Sequence, residues 1–293
     1  MQKERRVTVP TLQEMKKRGE KIAMLTGYDF LTAQLLDRAG VDVILVGDTL
    51  GMVFQGHEST LPVTVDEVIY HTRAVRRGIR SALLVADLPF LSYQVSIEEA
   101  VRNAGRMLKE GGAVAVKLEG GSTAVPVISA LVQAGIPVMG HVGLAPQSCN
   151  LIGGHKVQGK TVEDIEQLLE DAQAVEDAGA FSMVIEAVPW PVAREITSCV
   201  TIPTIGIGAG PYCDGQVLVT PDLLGLFTAF KPHFVRRFAQ LGDETLKAFE
   251  TYVSEVRTGG FPTLDESYSL DESLLKEWQQ INREIPIAPD REV

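Results

Sequence analysis

Cysteines and long apolar runs are scarce in this 293-residue sequence, and both absences exclude classes of protein. The three cysteines, Cys149, Cys199 and Cys213, have neither the spacing of a disulfide framework nor that of a metal site. An odd number of cysteines suits a reducing compartment, so we expect free thiols. No apolar run approaches the roughly 18 residues that a membrane span needs, and no signal-peptide pattern follows the charged N-terminus. We therefore predict a cytoplasmic protein without a membrane partner.

Basic residues are in the minority. Asp and Glu number 38 against 27 Lys and Arg, which gives a formal net charge of −11. Binding to a phosphate backbone needs a basic surface that releases counterions, so we expect no nucleic-acid partner. With 45% hydrophobic and 22% charged residues, the chain has the composition of a globular protein with a sizeable core.

Short apolar runs without polar alternation alternate with helical patterns along the chain. Such runs are typical of strands buried on both faces, as in parallel sheets covered by helices. Eight of them within about 230 residues predict a (β/α)8 TIM barrel, and a doubly wound open sheet is the alternative. We predict a barrel catalytic domain with an N-terminal helix over residues 1–268. Residues 269–293 are expected to form a C-terminal extension that includes a helix and carries no assigned chemistry.

Four of the predicted strands lead into a carboxylate, namely Asp48, Asp87, Glu119 and Glu186. A single carboxylate at such a position is as often a helix cap or a loop residue. Four at corresponding positions are better explained by one shared acidic site, because the active sites of barrel enzymes lie at the carboxyl ends of the strands.

Three carboxylates that face one another in a cleft repel, unless a cation lies between them. Oxygen ligands of this kind select a hard ion, with Mg²⁺ preferred over Ca²⁺. We therefore predict that Asp48, Asp87 and Glu119 bind Mg²⁺. A 2-oxo acid that chelates such an ion has a polarised carbonyl, which lowers the energy of an enolate at the adjacent carbon.

The fourth carboxylate, Glu186, is the candidate general base, because an apolar pocket outside the metal shell would raise its pKa. The alternative is a fourth metal ligand or an ion-pair partner. Lys117 lies two residues before Glu119, so both side chains point to the same face of the strand.

Lys117 is expected to hold the carboxylate of the substrate. A Schiff base at this lysine is the alternative, but neighbouring carboxylates raise a lysine's pKa and make the amine a poor nucleophile. His141 is an auxiliary candidate, either as a proton shuttle or hydrogen-bond donor or as a structural histidine.

At these residues the chain resembles the ketopantoate hydroxymethyltransferase family. The resemblance spans roughly residues 7–265. The matching stretches are KIAMLT (21–26), VGDTLGMV (46–53), LPVT (61–64), ADLPF (86–90), VKLEGG (116–121), GHVGL (140–144), KVQGK (156–160) and residues 202–219.

The resemblance implies a Mg²⁺-dependent barrel enzyme with one ion per subunit. It implies transfer of a one-carbon unit from methylenetetrahydrofolate to 3-methyl-2-oxobutanoate, giving 2-dehydropantoate for pantothenate and coenzyme A synthesis. It also implies a homodecamer of two pentameric rings. By the same resemblance, the metal ligands are Asp48, Asp87 and Glu119, the oxo-acid contacts are Asp48, Thr49, Asp87 and Lys117, and the proton acceptor is Glu186. The family usually has Ser where this chain has Thr49, which retains the hydroxyl.

Two other functions compete with this one. A Mg²⁺-dependent C–C lyase of the phosphoenolpyruvate/isocitrate lyase type would use the same chelated oxo acid, but its usual cysteine motif is absent. A non-catalytic barrel scaffold would gain nothing from four carboxylates that repel one another.

Overall fold

The computed structural model describes residues 6–154, 156–228 and 231–282, with no side chain described for residue 152. The chain divides into two compact units, Met1–Gln240 and Leu241–Val293. The first contains the barrel. The domain boundary expected at residue 268 stays a prediction, because compactness alone does not define an independently folding domain.

Eight parallel strands form a closed barrel in the first unit, and each strand pairs with the next along the chain. The last strand closes the ring by pairing with the first. The (β/α)8 barrel is therefore confirmed, and the open sheet is wrong. The strands are β1 (Ile22–Thr26), β2 (Val43–Val46), β3 (Leu83–Asp87), β4 (Ala115–Lys117), β5 (Val138–Gly143), β6 (Ser182–Glu186), β7 (Thr204–Ile207) and β8 (Gly215–Leu218).

Helices follow the strands, and several begin at side-chain caps that the sequence provides. Thr64 and Thr161 each form a capping box with the residue three positions later. The barrel unit contains α1 (Val9–Arg18), α2 (Phe30–Arg38), α3 (Leu50–Val53), α4 (Val65–Gly78), α5 (Ile97–Arg106), α6 (Val125–Gln133), α7 (Cys149–Ile152), α8 (Val162–Asp177), α9 (Trp190–Cys199) and α10 (Thr220–Leu224).

Side-chain alternation in the strands sorts the core into two clusters. In β3, Leu83 and Val85 belong to the cluster inside the barrel, whereas Leu84 and Ala86 pack in the cluster beneath the helices. Both faces of the strand are thus buried, which explains why its sequence lacks polar alternation. The inward series continues from Val85 to Asp87, so the period of two delivers a carboxylate to the mouth of the barrel.

The helix α1 packs against the interior cluster through Leu12 and Met15. The ammonium group of Lys16, on the same helix, donates to the carbonyl oxygens of residues 197, 200 and 202 at 2.9–3.2 Å. It also lies 2.9 Å from a carboxylate oxygen of Asp214. This lysine therefore ties α1 to the segments that precede β7 and β8.

We expect Lys16→Met to lower the free energy of unfolding by about 2 kcal/mol, since hydrogen bonds to charged groups contribute roughly 1.5–3 kcal/mol. Chemical denaturation measures this loss. Lys17→Met is the matched control, because Lys17 makes an exposed ion pair with Glu14 and such pairs contribute less than about 1 kcal/mol. Equal losses in the two variants would contradict the role assigned to Lys16.

The second unit contains α11 (Leu241–Thr258) and α12 (Glu272–Ile281), and neither helix has a buried residue. On α11, the large apolar side chains of Phe249 and Tyr252 are exposed. The predicted C-terminal helix is found as α12, and residues 283–293 of the predicted extension lie outside the described residues. Across the described chain, no helix is both long enough and apolar enough to span a membrane.

Candidate active site

All seven predicted site residues line one cavity of about 50 Å³ at the carboxyl ends of the strands. They are Asp48, Thr49, Asp87, Lys117, Glu119, His141 and Glu186. A cavity needs roughly 10–15 Å³ to hold one water molecule, so this space can hold a small acid.

Strand ends position these side chains. Asp87, Lys117 and Glu186 are the last residues of β3, β4 and β6. Asp48 and Glu119 each lie two residues beyond the end of their strand. All four carboxylates therefore lie at the same rim of the barrel, as their positions in the sequence predicted.

Asp87 and Lys117 form a buried ion pair across neighbouring positions of β3 and β4. The ammonium nitrogen lies 2.7 and 2.9 Å from the two carboxylate oxygens. Burial by itself would lower the pKa of Lys117, but Asp87, Glu119 and Asp48 outweigh it and raise that pKa above its usual range. The lysine is therefore a fixed cation, which disfavours the Schiff-base alternative.

The other carboxylates at the barrel mouth have no cationic side chain of their own among the described residues of the cavity to compensate their charge. Burial, reinforced by the negative charge of Asp87, raises the pKa of Asp48 to about 7, although Lys117 opposes this shift. Burial also raises the pKa of Glu119 well above its usual range. One lysine faces four carboxylates in the cavity, so three negative charges would stay uncompensated if all four were ionised. The site is thus suited to a further cation.

The donor set fits a hard divalent ion in its chemistry, because it supplies carboxylate oxygens that lack a positive partner. Within the described ranges, however, no three His, Cys, Asp or Glu side chains already converge on a point where they could hold a metal ion. Both oxygens of Asp87 are occupied by Lys117. Coordination by all three predicted ligands would therefore require the carboxylate of Asp87 to turn from Lys117 toward the ion.

Glu186 is partly buried at the end of β6, and burial raises the pKa of its carboxyl to about 8. Lys117 opposes this shift, while Asp48 and Asp87 reinforce it. The next residue, Ala187, has a backbone φ of +49°, an uncommon conformation for a residue other than glycine. The chain therefore turns sharply immediately after the carboxylate.

His141 is buried within β5, and its Nε2 lies 3.6 Å from a carboxylate oxygen of Glu186. The same nitrogen lies 2.6 Å from the carbonyl oxygen of Leu144. Burial, with a smaller effect from Lys117, lowers the pKa of His141 to about 3, so the ring is neutral. An Nε2–H that donates to Leu144 leaves the lone pair on Nδ1, which has no hydrogen-bond partner among the described residues.

Three further residues belong to the site, and sequence patterns did not identify them. The hydroxyl groups of Tyr28 and Thr49 are 2.6 Å apart. Gln147, in the long loop after β5, donates to both Asp48 and Glu119. Tyr93 in turn donates to the amide oxygen of Gln147. These partners are distant in sequence, so residue spacing gave no signal for them.

Fold and site together define a (β/α)8-barrel enzyme with an acidic centre at the carboxyl ends of its strands. The ketopantoate hydroxymethyltransferase family matches residues 6–264 of the chain. The chain belongs to this family.

Relatives that cover most of the chain agree with this assignment. The 3-methyl-2-oxobutanoate hydroxymethyltransferase of Moorella thermoacetica is 58% identical over 263 residues, covering 90% of this chain and 98% of the relative. The protein of that name from Clostridium botulinum (strain Alaska E43 / Type E3) is 55% identical over 269 residues, covering 92% and 98%. The chain is therefore related to hydroxymethyltransferases over nearly its whole length.

Solved structures with a similar fold are more distant in sequence. A phosphonopyruvate hydrolase in complex with oxalate and Mg²⁺ has a TM-score of 0.60 at 13% identity, covering 94% of this chain and 96% of that one. A 2,3-dimethylmalate lyase of the PEP mutase/isocitrate lyase superfamily has a TM-score of 0.57 at 15% identity, covering 94% and 97%. At this identity the likeness establishes the fold alone.

Proposed function

We propose that the protein transfers a hydroxymethyl group from 5,10-methylenetetrahydrofolate to 3-methyl-2-oxobutanoate in a Mg²⁺-dependent reaction that proceeds through an enolate. The product, 2-dehydropantoate, serves pantothenate and coenzyme A synthesis. The observation that carries the proposal is the buried acidic cavity, where Glu186 and Lys117 lie beside three further carboxylates in a chain of this family.

In this proposal Asp48, Asp87 and Glu119 hold the metal ion. The ion supplies Lewis acidity to the oxo acid, which polarises its carbonyl and makes the hydrogen on the adjacent carbon more acidic. Burial of these carboxylates supports the assignment, because ionised carboxylates in a low-dielectric site need compensating positive charge.

Lys117 and Thr49 orient the oxo acid. An ammonium group has three N–H donors, and Asp87 accepts two of them, which leaves one for the carboxylate of the substrate. The hydroxyl of Thr49 is held by Tyr28 at 2.6 Å, so it is fixed before the substrate arrives. The hydroxyl of Thr49 therefore needs no rearrangement to bind the substrate.

Glu186 removes the proton from C3 of the oxo acid, which gives the enolate. Its raised pKa makes the carboxylate a stronger base than an exposed glutamate. Water first adds to the methylene carbon of the folate, and cleavage of both C–N bonds of that carbon releases tetrahydrofolate and formaldehyde. The C3 carbon of the enolate then adds to the carbonyl carbon of formaldehyde, and the proton held by Glu186 is returned to the resulting alkoxide, which becomes the hydroxyl of the new hydroxymethyl group.

The direct test is to incubate the protein with 3-methyl-2-oxobutanoate, methylenetetrahydrofolate and Mg²⁺ and to measure 2-dehydropantoate. We expect product that depends on all three additions. Cleavage of a C–C bond without a folate requirement would favour the lyase instead. The absence of both reactions at saturating metal would favour the scaffold.

The pH dependence of proton transfer tests the basicity of Glu186. The pKa of Glu186 is raised from 4.5 to about 8, so its ionised, basic form is lost as the pH falls through about 8. Each further drop of one pH unit lowers the ionised fraction about tenfold. A bound cation lowers this midpoint, so we expect exchange of the C3 proton to rise with pH and to level off at or below about pH 8. Rates measured in D₂O between about pH 5 and pH 9 check this. A rate that falls with rising pH would contradict it.

We also propose a cytoplasmic homodecamer of two pentameric rings. The resemblance to the family supports it, and so does α11, whose apolar side chains are exposed in the single chain. Unpartnered apolar faces of this kind are typical of interaction surfaces. Light scattering should give the mass of ten 31.8-kDa chains, and a monomer would contradict the proposal.

A further inference from the structure

Gln147 lies at the centre of a network that joins two of the carboxylates. It belongs to a helical turn, Pro146–Ser148, in the loop after β5, and only 4% of its surface is exposed. Its backbone N–H donates to Glu119 Oε2 at 3.0 Å. Its side-chain nitrogen donates to Asp48 Oδ2 and to the carbonyl oxygen of Leu88, each at 2.9 Å.

The other end of the amide is equally constrained. The oxygen Oε1 of Gln147 accepts from the Tyr93 hydroxyl at 2.9 Å and from the Gln94 amide at 3.2 Å. A glutamine amide has two N–H donors and two acceptor positions, so all four are used. The reversed amide would bring its oxygen against two acceptors, Asp48 and the Leu88 carbonyl. The orientation of the side chain is therefore fixed by its partners.

This arrangement constrains the carboxylates without neutralising them. Gln147 is uncharged, so it leaves the excess negative charge of the cavity in place. Its two hydrogen bonds to the carboxylates use one oxygen of Asp48 and one oxygen of Glu119, so Gln147 does not occupy the other oxygen of either group. One residue thus connects the side chains that follow β2 and β4.

We propose that Gln147 is a positioning residue that holds Asp48 and Glu119 in the orientation in which they bind a divalent cation. The proposal rests on the metal-binding role proposed above for these two carboxylates. Groups that hydrogen-bond to metal ligands typically contribute 10- to 100-fold to metal affinity. A contribution of this size would arise here because the two ligands come from different strands and share one partner.

Gln147→Met tests this inference, because methionine has a similar volume and keeps the backbone N–H to Glu119 but lacks the amide. We expect Mg²⁺ or Mn²⁺, titrated calorimetrically into the purified full-length protein without substrates, to bind about 10- to 100-fold more weakly. At saturating metal, kcat should approach that of the unmodified protein. An unchanged metal affinity would overturn the proposal.

Thr204→Val is the matched control. Thr204 is fully buried at the first position of β7, the opposite end of the barrel from the carboxylates, and its hydroxyl bonds to Asp214. Valine likewise replaces a buried hydrogen-bonding group with an apolar one of similar shape. We expect this variant to lose thermal stability while its metal affinity changes less than about twofold. An equal loss of affinity in the control would mean that Gln147 acts only through stability.

Tyr93→Phe provides a second variant if Gln147→Met does not fold. It removes the hydroxyl that donates to Gln147 Oε1. We expect metal affinity to fall several-fold. Where both single variants fold, the two changes together should cost less than the product of the separate effects, because they disrupt one network. Wild-type affinity in Tyr93→Phe would overturn the inference. A wild-type protein that binds neither ion would instead contradict the proposed metal role itself.

Discussion

Replacing Glu186 with glutamine is expected to lower kcat by about 10²- to 10⁴-fold, the usual contribution of a positioned general base. Glutamine has nearly the same size and shape, but its amide cannot accept the C3 proton. The loss corresponds to roughly 3–5 kcal/mol of transition-state stabilisation. Binding of metal and oxo acid should persist, because Glu186 is outside the proposed metal set.

Proton exchange separates this role from the alternatives. With 3-methyl-2-oxobutanoate and Mg²⁺ in D₂O, the unmodified enzyme should replace the C3 hydrogen by deuterium without folate, and Glu186→Gln should not. Glu195→Gln is the control, since Glu195 is an exposed residue that pairs with Arg194. Normal exchange in Glu186→Gln would assign the base elsewhere. A loss of metal affinity would instead identify Glu186 as a fourth metal ligand.

The barrel could be predicted from the sequence because its buried strands are recognisable as short, uninterrupted runs of apolar residues. In β3, uninterrupted apolar residues lead to Asp87, and burial on both faces leaves no other common arrangement. The ends of strands were less well predicted. The mostly apolar run of residues 114–118 predicts a fourth strand that leads directly into Glu119, but the strand spans only Ala115–Lys117. The Glu119 N–H donates to the Tyr93 hydroxyl instead of to a neighbouring strand.

Sequence patterns also failed to predict a short helix in the segment after β2. The glycine-containing sequence of residues 50–62 predicts a loop, yet the segment begins with the one-turn helix α3 (Leu50–Val53). The N–H of Leu50 bonds to the carbonyl of Gly47 and that of Gly51 to the carbonyl of Asp48, so the turn starts directly from the acidic strand end. So short a helix carries no periodic pattern that a sequence can reveal.

The sequence predicted that the site residues lie at one rim of the barrel, but it did not predict the contacts between their side chains. Period-two alternation indicated that Lys117 and Glu119 share a face. It gave no information about the register that makes Asp87 the direct neighbour of Lys117, so the buried ion pair was missed. Gln147 reaches Asp48 across 99 positions of sequence. Such a contact depends on how the β5 loop folds back, which spacing does not encode.

Asp87→Asn is expected to have a second large effect, because it breaks the buried ion pair between Asp87 and Lys117. We expect this variant to lose Mg²⁺-dependent binding of the oxo acid, because asparagine replaces an anionic ligand by a neutral amide. It also removes the carboxylate that holds Lys117 at 2.7 and 2.9 Å. Breaking a buried ion pair from one side costs about 3–5 kcal/mol, and we expect the lower end because Asp48 and Glu119 remain nearby.

Calorimetric titration of Mg²⁺ with the oxo acid, together with chemical denaturation, measures the two effects separately. The double variant Asp87→Asn/Lys117→Met removes the unpaired buried charge, so its stability should exceed that of Asp87→Asn alone. Metal-dependent binding should remain lost in both variants, because the double variant regains stability without regaining the ligand and also lacks the Lys117 contact with the substrate. If the double variant regained metal-dependent binding, Asp87 would act only by neutralising Lys117, and Mg²⁺ would be held by Asp48 and Glu119 without it.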